Sequence, residues 1–315
     1  MEITPPAPPS SRLIPPQYLI PFVLVAVVFP LWGFANDITN PMVKAFSRIL
    51  LMSDFEGSLV QFAFCGGYFA MAFPAAMFIK RFTYKSGILV GLGLYATGAL
   101  LFIPASMMMA FWPFLVAYFI LTCGLSFLET TANPYILSMG SEETAPLRLN
   151  VAQAFNPLGS LLGMFTAQQV ILARLNSATQ AERAALPPEQ LAAVTASDLT
   201  IIRGPYVGIA LVIILFFVVI AIMKMPHAAA STHRLDLRGT VGRLLRNKRY
   251  REGVVAQFFY IAAQIMCWTF IMQYGTEVLM GRGMAESEAE VAAQGYNIVA
   301  MIIFAASRFT LSWPG

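Results

Sequence analysis

The chain has 315 residues, of which 58% are hydrophobic and only 11% are charged, and its formal net charge is +4. Ordinary globular proteins are about 45–50% apolar and about 25% charged, so a soluble fold of this length would lack the charged surface that it needs. The composition excludes a nucleic-acid-binding protein, a disordered tail protein and a secreted disulfide scaffold, and it indicates a protein of the lipid bilayer.

Eight apolar stretches follow one another along the chain, each close to the roughly 20 residues that a spanning helix needs. A proline-rich lead over residues 1–16 precedes them and is expected to be disordered. The predicted spans are Gln17–Phe46, Gly57–Ile79, Ser86–Pro104, Phe111–Ser138, Asn150–Ala173, Pro205–Met223, Gly253–Met280 and Val291–Trp313. The sequence therefore predicts an all-α integral membrane protein.

Two longer polar intervals separate the later spans. Arg174–Arg203 is alanine-rich with mixed charge, and we expect a surface loop with a short helix there. Lys224–Arg251 is strongly basic, and we interpret it as a linker with an amphipathic helix that lies on anionic lipid. Since Lys and Arg are retained on the cytoplasmic side, their distribution predicts a cytoplasmic N-terminus in the inner (plasma) membrane.

One carboxylate lies deep inside a predicted span. Glu129 is the only charged residue between Phe111 and Ser138, and Asn133 lies one turn further along the same helix face. A charged side chain at the centre of a membrane helix costs roughly 2.5–3.5 kcal/mol on insertion scales, so it is usually functional. We expect Glu129 to take up and release a proton. The alternative is a carboxyl group that only holds the bundle together by hydrogen bonds.

Amide side chains recur at helical spacing in three spans. They are Asn36 and Asn40 beside Asp37 in the first span, Asn150, Gln153 and Asn156 in the fifth, and Gln257, Tyr260 and Gln264 with Trp268 in the seventh. Grouped amides and carboxylates suit a hydroxyl-rich ligand, and an aromatic ring beside them suits the apolar face of a pyranose. The alternatives are ordinary helix caps around Asp37 and amide bridges between membrane helices.

No enzyme or metal motif accompanies these residues. The sequence contains no HExxH, Walker loop or GxSxG, and both histidines lie in the basic interval. The three cysteines stand alone in apolar runs, so they are interpreted as small core residues. We therefore expect neither catalysis nor a metal or cofactor.

Several stretches carry a family resemblance: LWGFANDITNP, FIKRFTYKSGI, LETTANPY, RLNVAQAFNPLG and AQFFYIAAQIMCWTF. The sequence resembles the fucose–proton symporter family of the major facilitator superfamily, which includes bacterial glucose/galactose transporters. The resemblance implies a six-helix N-terminal bundle over residues 17–223, a basic cytoplasmic linker over 224–252, and two helices of a second bundle over 253–315. It also implies a carrier that takes up L-fucose or a related hexose by alternating access, driven by protons.

The resemblance assigns roles to particular positions. Glu129 corresponds to the intramembrane proton-linked glutamate of the family. The positions that correspond to cavity-facing amides are Gln153, Asn156, Gln257 and Gln264. The fucose symporter has an aspartate where this chain has Asn40, and the nearest carboxylate, Asp37, lies about one turn earlier. Either Asp37 takes over in coupling, or Glu129 couples alone, or the protein is an uncoupled sugar facilitator.

The family has twelve spans, whereas eight are predicted here. We therefore expect a C-terminally truncated member that transports poorly or not at all by itself. The expected partners are a monosaccharide, protons and the lipid bilayer, without nucleic acid, and the protein is expected to be a monomer.

Overall fold

The structure is a computed structural model that describes residues 13–225, 237–284 and 286–311. Regular structure in these ranges is helical throughout. The chain divides into two compact units, of which the first comprises Met1–Ala230 with Arg308–Gly315 and the second comprises Ser231–Ser307. Each unit is described by itself.

Between residues 13 and 225 the first unit contains ten α-helices. They are α1 Leu19–Ala26, α2 Val28–Ile49, α3 Asp54–Arg81, α4 Tyr84–Leu100, α5 Phe102–Met108, α6 Trp112–Leu137, α7 Ala145–Gln153, α8 Asn156–Phe165, α9 Gln180–Ala184 and α10 Pro188–Ile222. A π-helical turn, Thr166–Ile171, follows α8. The last three helices are α11 Leu237–Arg246, α12 Lys248–Met280 and α13 Glu286–Leu311.

Five helical segments among the described residues are long and apolar enough to cross a bilayer by length and composition. They are Pro16–Thr39, Leu59–Arg81, Tyr84–Met108, Trp112–Leu137 and Pro188–Ile222. The predicted fifth span is divided between α7 and α8, with Pro157 in the first turn of α8. A proline in the first turn is tolerated because its missing N–H has no partner within the helix in any case.

The polar interval before the sixth span differs from its prediction. We expected a surface loop up to Arg203 and a span that began at Pro205, but α10 runs without a break from Pro188 to Ile222. Its first turns, PEQLAAVTASD, are rich in good helix formers, so they continue the helix beyond the apolar segment. Only the short helix expected in this interval is present as such, in α9.

Small residues let the helices of the first unit approach closely. A Cβ atom on Gly159 of α8 would stand 1.8 Å from the carbonyl oxygen of Pro30 in α2. A Cβ atom on Gly124 of α6 would stand 2.4 Å from the backbone nitrogen of Tyr95 in α4. Such contacts between backbones are the usual basis of helix packing in a membrane. They fix α2 against α8 and α6 against α4.

A buried arginine closes the C-terminal end of α6. The guanidinium of Arg148 donates to the carbonyl oxygens of Leu137, Ser141 and Ile136 at 2.8, 3.1 and 3.3 Å, and the side chain is fully buried. The last carbonyls of a helix have no partner within it, so a cation there satisfies them. Arg148 therefore anchors the helix that carries Glu129.

The second unit has a smaller core. The C-terminal half of α12 packs against the N-terminal half of α13 through Leu279, Ala289 and Ala293. A Cβ atom on Gly275 would stand 3.0 Å from the Cβ of Ala293, so these helices also pack through small residues.

Candidate functional site

Glu129 lies in α6, about two turns before the helix ends, and its side chain is half-buried. Buried apolar residues flank it along the helix, among them Leu125 and Leu128. The phenol of Tyr68 in α3 lies within electrostatic range of its carboxylate. A lone carboxylate in such surroundings is costly in its charged form, so uptake of a proton relieves that cost.

The amide one turn beyond Glu129 has a partner on the next helix. The side-chain Nε2 of Gln153, the last residue of α7, donates to Oδ1 of Asn133 in α6 at 3.3 Å. This contact brings two of the predicted sugar-binding residues together. Since Glu129 and Asn133 are four residues apart on one helix, the carboxylate and both amides lie in the same region of the first unit.

Asn156 has a structural contact of its own. Its Nδ2 donates to the carbonyl oxygen of Phe29 at 3.2 Å, which joins α8 to α2. Pro157 follows it inside the first turn of α8. One N–H of the Asn156 amide is therefore engaged by the protein.

The polar end of α2 presents two neighbouring faces. Gly33 faces α8, because a Cβ there would stand 3.0 Å from Oγ of Ser160, and Asp37 lies one turn further along the same face of α2. Asn36 lies on the adjacent face and is half-buried. The side chain of Asn40 lies outside the described residues.

Sequence reasoning missed Tyr68. The indole Nε1–H of Trp32 in α2 donates to the Tyr68 hydroxyl oxygen, and the Ser126 hydroxyl of α6 donates to the Tyr68 carbonyl oxygen at 3.3 Å. Tyr68 therefore joins α3 to both α2 and α6. Trp32 lies one turn before Asn36, so this contact extends the polar face of α2 towards Glu129. The neighbouring Gly67 also faces α6, where a Cβ atom would stand 2.0 Å from Oγ1 of Thr122.

The predicted residues of the seventh span all lie on α12. Gln257 and Tyr260 are exposed, and Gln264 is half-buried. They recur at three- and four-residue spacing, so they share one face of α12. The side chain of Trp268 lies outside the described residues.

No group of three or more His, Cys, Asp or Glu side chains within the described ranges could hold a metal ion. The described part of the first unit holds the carboxylate of Glu129 in α6, a pair of amides and a Trp–Tyr contact, with a further carboxylate, Asp37, in the first span. The fold and site together define a multi-pass membrane transport protein.

Comparison with known proteins identifies the family. The Major Facilitator Superfamily model matches residues 24–313. The L-fucose-proton symporter of Haemophilus influenzae is 46% identical over 306 residues, which cover 95% of this chain and 70% of that protein. A glucose/galactose transporter of Brucella abortus is 29% identical, over 84% of this chain and 60% of that protein.

The three-dimensional comparison agrees with the sequence comparison. A crystal structure of the Escherichia coli fucose:proton symporter matches with a TM-score of 0.80 and 34% identity, over 94% of this chain and 71% of that one. The chain belongs to the Major Facilitator Superfamily, in the group of the fucose–proton symporters. Its family is one of transporters and not of enzymes, and the predicted resemblance is confirmed.

Proposed function

We propose that this protein is a proton-coupled monosaccharide carrier that takes up L-fucose, or a related hexose such as glucose or galactose, by alternating access. The observation that carries the proposal is the position of Glu129, a lone half-buried carboxylate in an otherwise uncharged helix. The names of the relatives support it, since they include a fucose–proton symporter and a glucose/galactose transporter.

Glu129 is proposed as the group that carries the proton. The free-energy cost of a charge at this depth disfavours movement of the loaded carrier while the carboxylate is ionised. Protonation removes this cost. The carrier therefore changes from opening on one side of the membrane to opening on the other while Glu129 is protonated, and it then releases the proton on that second side. Asn133 lies one turn beyond Glu129 on α6 and Tyr68 is within electrostatic range of Glu129, so the charge state of Glu129 is proposed to alter the hydrogen bonds of both residues.

The amides are proposed as the sugar-binding groups. Asn133 and Gln153 already contact each other, and a sugar hydroxyl can replace either partner of that hydrogen bond. Asn36 and the amide oxygen of Asn156 add a donor and acceptors from two further helices. In the second unit, the same role is proposed for Gln257, Tyr260, Gln264 and Trp268.

We place the protein in the inner (plasma) membrane as a monomer, with its N-terminus in the cytoplasm. The concentration of Lys and Arg in alternate segments supports this orientation. The proposed division has a bundle over residues 17–223, a basic linker over 224–252 and the helices of the second bundle beyond it.

The test is a measurement of both solutes in one preparation. L-Fucose, glucose or galactose is added to proteoliposomes that contain the purified chain and an internal pH-sensitive dye. No proton gradient is imposed beforehand. We expect one sugar to enter together with protons, so that the lumen acidifies in step with sugar uptake. Entry of sugar without acidification would contradict proton coupling, and entry of none of the three sugars would contradict the proposed substrates.

Asn40 supports a second candidate function. The fucose symporter has a carboxylate at the corresponding position, so an amide here is the change expected of an uncoupled facilitator. Asn40→Asp separates the two functions. If the natural protein is a facilitator, the variant gains sugar-driven acidification, whereas in a symporter that relies on Glu129 both proteins acidify the lumen.

A further inference from the structure

Two adjoining pockets in the first unit share Arg174, which follows the π-helical turn. The larger pocket, about 530 Å³, lies between that turn and α10 and is walled mainly by Val170, Ile201, Gly204 and Pro205. The smaller pocket, about 370 Å³, is walled by Asn176, Ser197 and Asp198 among others. Most residues that line the larger pocket are apolar, most that line the smaller pocket are polar, and the cation of Arg174 borders both.

The length of α10 places these pockets at the edge of the bilayer. The Lys85 ammonium group donates to the carbonyl oxygens of Ala221 and Met223 at 2.8 and 2.7 Å, which marks one end of the helix as the aqueous boundary. The helix has 35 residues and is about 52 Å long, whereas the hydrocarbon core is about 30 Å thick. A helix needs about 20 residues to cross the hydrocarbon core, and 20 residues counted back from Ile222 end at Arg203. The apolar pocket thus meets the hydrocarbon boundary, and the polar pocket lies at headgroup depth.

The local charge favours an anion. Arg174 makes no hydrogen bond or ion pair with the described part of the chain, although it borders both pockets. The one carboxylate of the polar pocket, Asp198, is paired with the fully buried Arg183 and accepts the backbone N–H of Asn176 at 2.9 Å. Since Arg183 neutralises Asp198, the net charge at the two pockets is that of Arg174.

We propose that the two pockets together bind one anionic glycerophospholipid. Its phosphate lies at Arg174, its polar headgroup lies in the pocket of Asn176 and Ser197, and an acyl chain lies against Val170, Ile201 and Gly204. Arginine binds phosphate through charge-assisted hydrogen bonds, and the apolar pocket supplies the surface that a free phosphate ion cannot use. Gly204 lines the larger pocket and a Cβ atom there would meet nothing within 4 Å, so a longer side chain at this position has room to extend into the pocket.

The test uses the purified full chain in a neutral detergent, with phosphatidylglycerol as the probe. Lipid retention is measured by native mass spectrometry, and thermal unfolding is followed with and without the lipid. Arg174→Gln removes the cation, and Gly204→Leu fills the apolar pocket. The matched controls are Arg282→Gln and Gly253→Leu, since Arg282 is exposed and a Cβ on Gly253 meets nothing within 4 Å.

We expect phosphatidylglycerol to be retained and to raise the Tm of the natural chain and of both controls. Each pocket variant should weaken retention about tenfold, which is the effect of losing one charge-assisted hydrogen bond or one well-packed apolar contact. Equal retention by all five proteins would overturn the proposal. Equal stabilisation by glycerol phosphate would also overturn it and would indicate a site for a free anion. Failure of the natural chain to retain phosphatidylglycerol would overturn it as well.

Discussion

The helices α6 and α12 look alike in sequence but differ in the structure. Both are long, and each carries polar side chains within an apolar stretch, Glu129 and Asn133 in α6 and Gln257 and Gln264 in α12. Most of α6 is buried, and the amides of Asn133 and Gln153 have each other as partners. In α12, Phe258, Phe259 and Tyr260 are 68%, 66% and 57% exposed. Similar spacing along a helix therefore does not mean similar surroundings. The hydrogen-bond partners of a polar residue within an apolar helix, and not its spacing along that helix, decide what the residue contributes to stability.

The largest expected effect concerns close packing in the first unit. Gly159→Ala places a Cβ where the Pro30 carbonyl oxygen stands only 1.8 Å away, and a backbone atom cannot give way cheaply. We expect a loss of about 3 kcal/mol in the free energy of unfolding, measured by denaturant unfolding in detergent. The matched control is Gly208→Ala, where a Cβ meets nothing within 4 Å. Equal stability of the two variants would show that α2 and α8 are not in this contact.

The next effect concerns sugar binding beside α6. Gln153→Ala removes the donor to Asn133 and, on our account, one hydrogen bond to the sugar. The KM or Kd for the sugar should rise about tenfold, as measured by uptake or by binding of radiolabelled sugar. Gln169→Ala, at an exposed position of the π-helical turn, should leave the affinity unchanged. If both variants bind sugar as the natural chain does, Gln153 is a bridge between helices only.

A smaller effect concerns a buried pair of tyrosines. The hydroxyls of Tyr118 and Tyr206 are 2.7 Å apart, and the Tyr206 ring stacks on Phe102 with centroids 3.8 Å apart. Tyr118→Phe leaves the Tyr206 hydroxyl without this partner, so the free energy of unfolding should fall by about 1 kcal/mol. Tyr274→Phe in α12 should change nothing measurable, since Tyr274 is 71% exposed. A larger fall in the free energy of unfolding for Tyr274→Phe than for Tyr118→Phe would contradict the conclusion that α6 is the better packed of the two helices.

The smallest effect concerns the cap of α9. Hydrogen bonds from the backbone N–H and the hydroxyl of Thr179 lower the pKa of the Glu182 carboxyl below its ordinary value. A lowered pKa in the folded state stabilises the protein at neutral pH, and this contribution is lost as the pH falls through that pKa. The Tm difference between the natural chain and Glu182→Gln should therefore shrink between pH 7 and pH values below about 4. A Tm difference between the two proteins that grows as the pH falls would contradict a stabilising role of the Glu182 carboxylate in the cap of α9.

Much of the fold was predictable because apolar length and proline positions dictate helices one at a time. The helix of Glu129 was predicted as Phe111–Ser138 and is Trp112–Leu137. The start of α10 was not predictable from hydropathy, since its first turns are polar yet consist of good helix formers. Hydropathy indicates which part of a helix can lie in lipid. It does not show where the helix begins, because good helix formers can prolong the helix beyond the lipid into water.

The site was predictable only in part. A charge in an apolar helix is visible in the sequence, so Glu129 and the amides near it were identified. The contact of Trp32 with Tyr68 joins residues of two helices, and the periodicity of one helix carries no information about its neighbour.

The central claim is that Glu129 carries the proton, and one variant tests it most directly. Glu129→Gln keeps the shape and hydrogen-bonding capacity of the side chain but cannot ionise. We expect it to retain exchange of labelled sugar across proteoliposomes while losing sugar-driven proton flux and uphill accumulation. Glu56→Gln, at an exposed cap outside the apolar part of α3, should behave as the natural chain does. Undiminished accumulation by Glu129→Gln under a proton gradient would contradict the account.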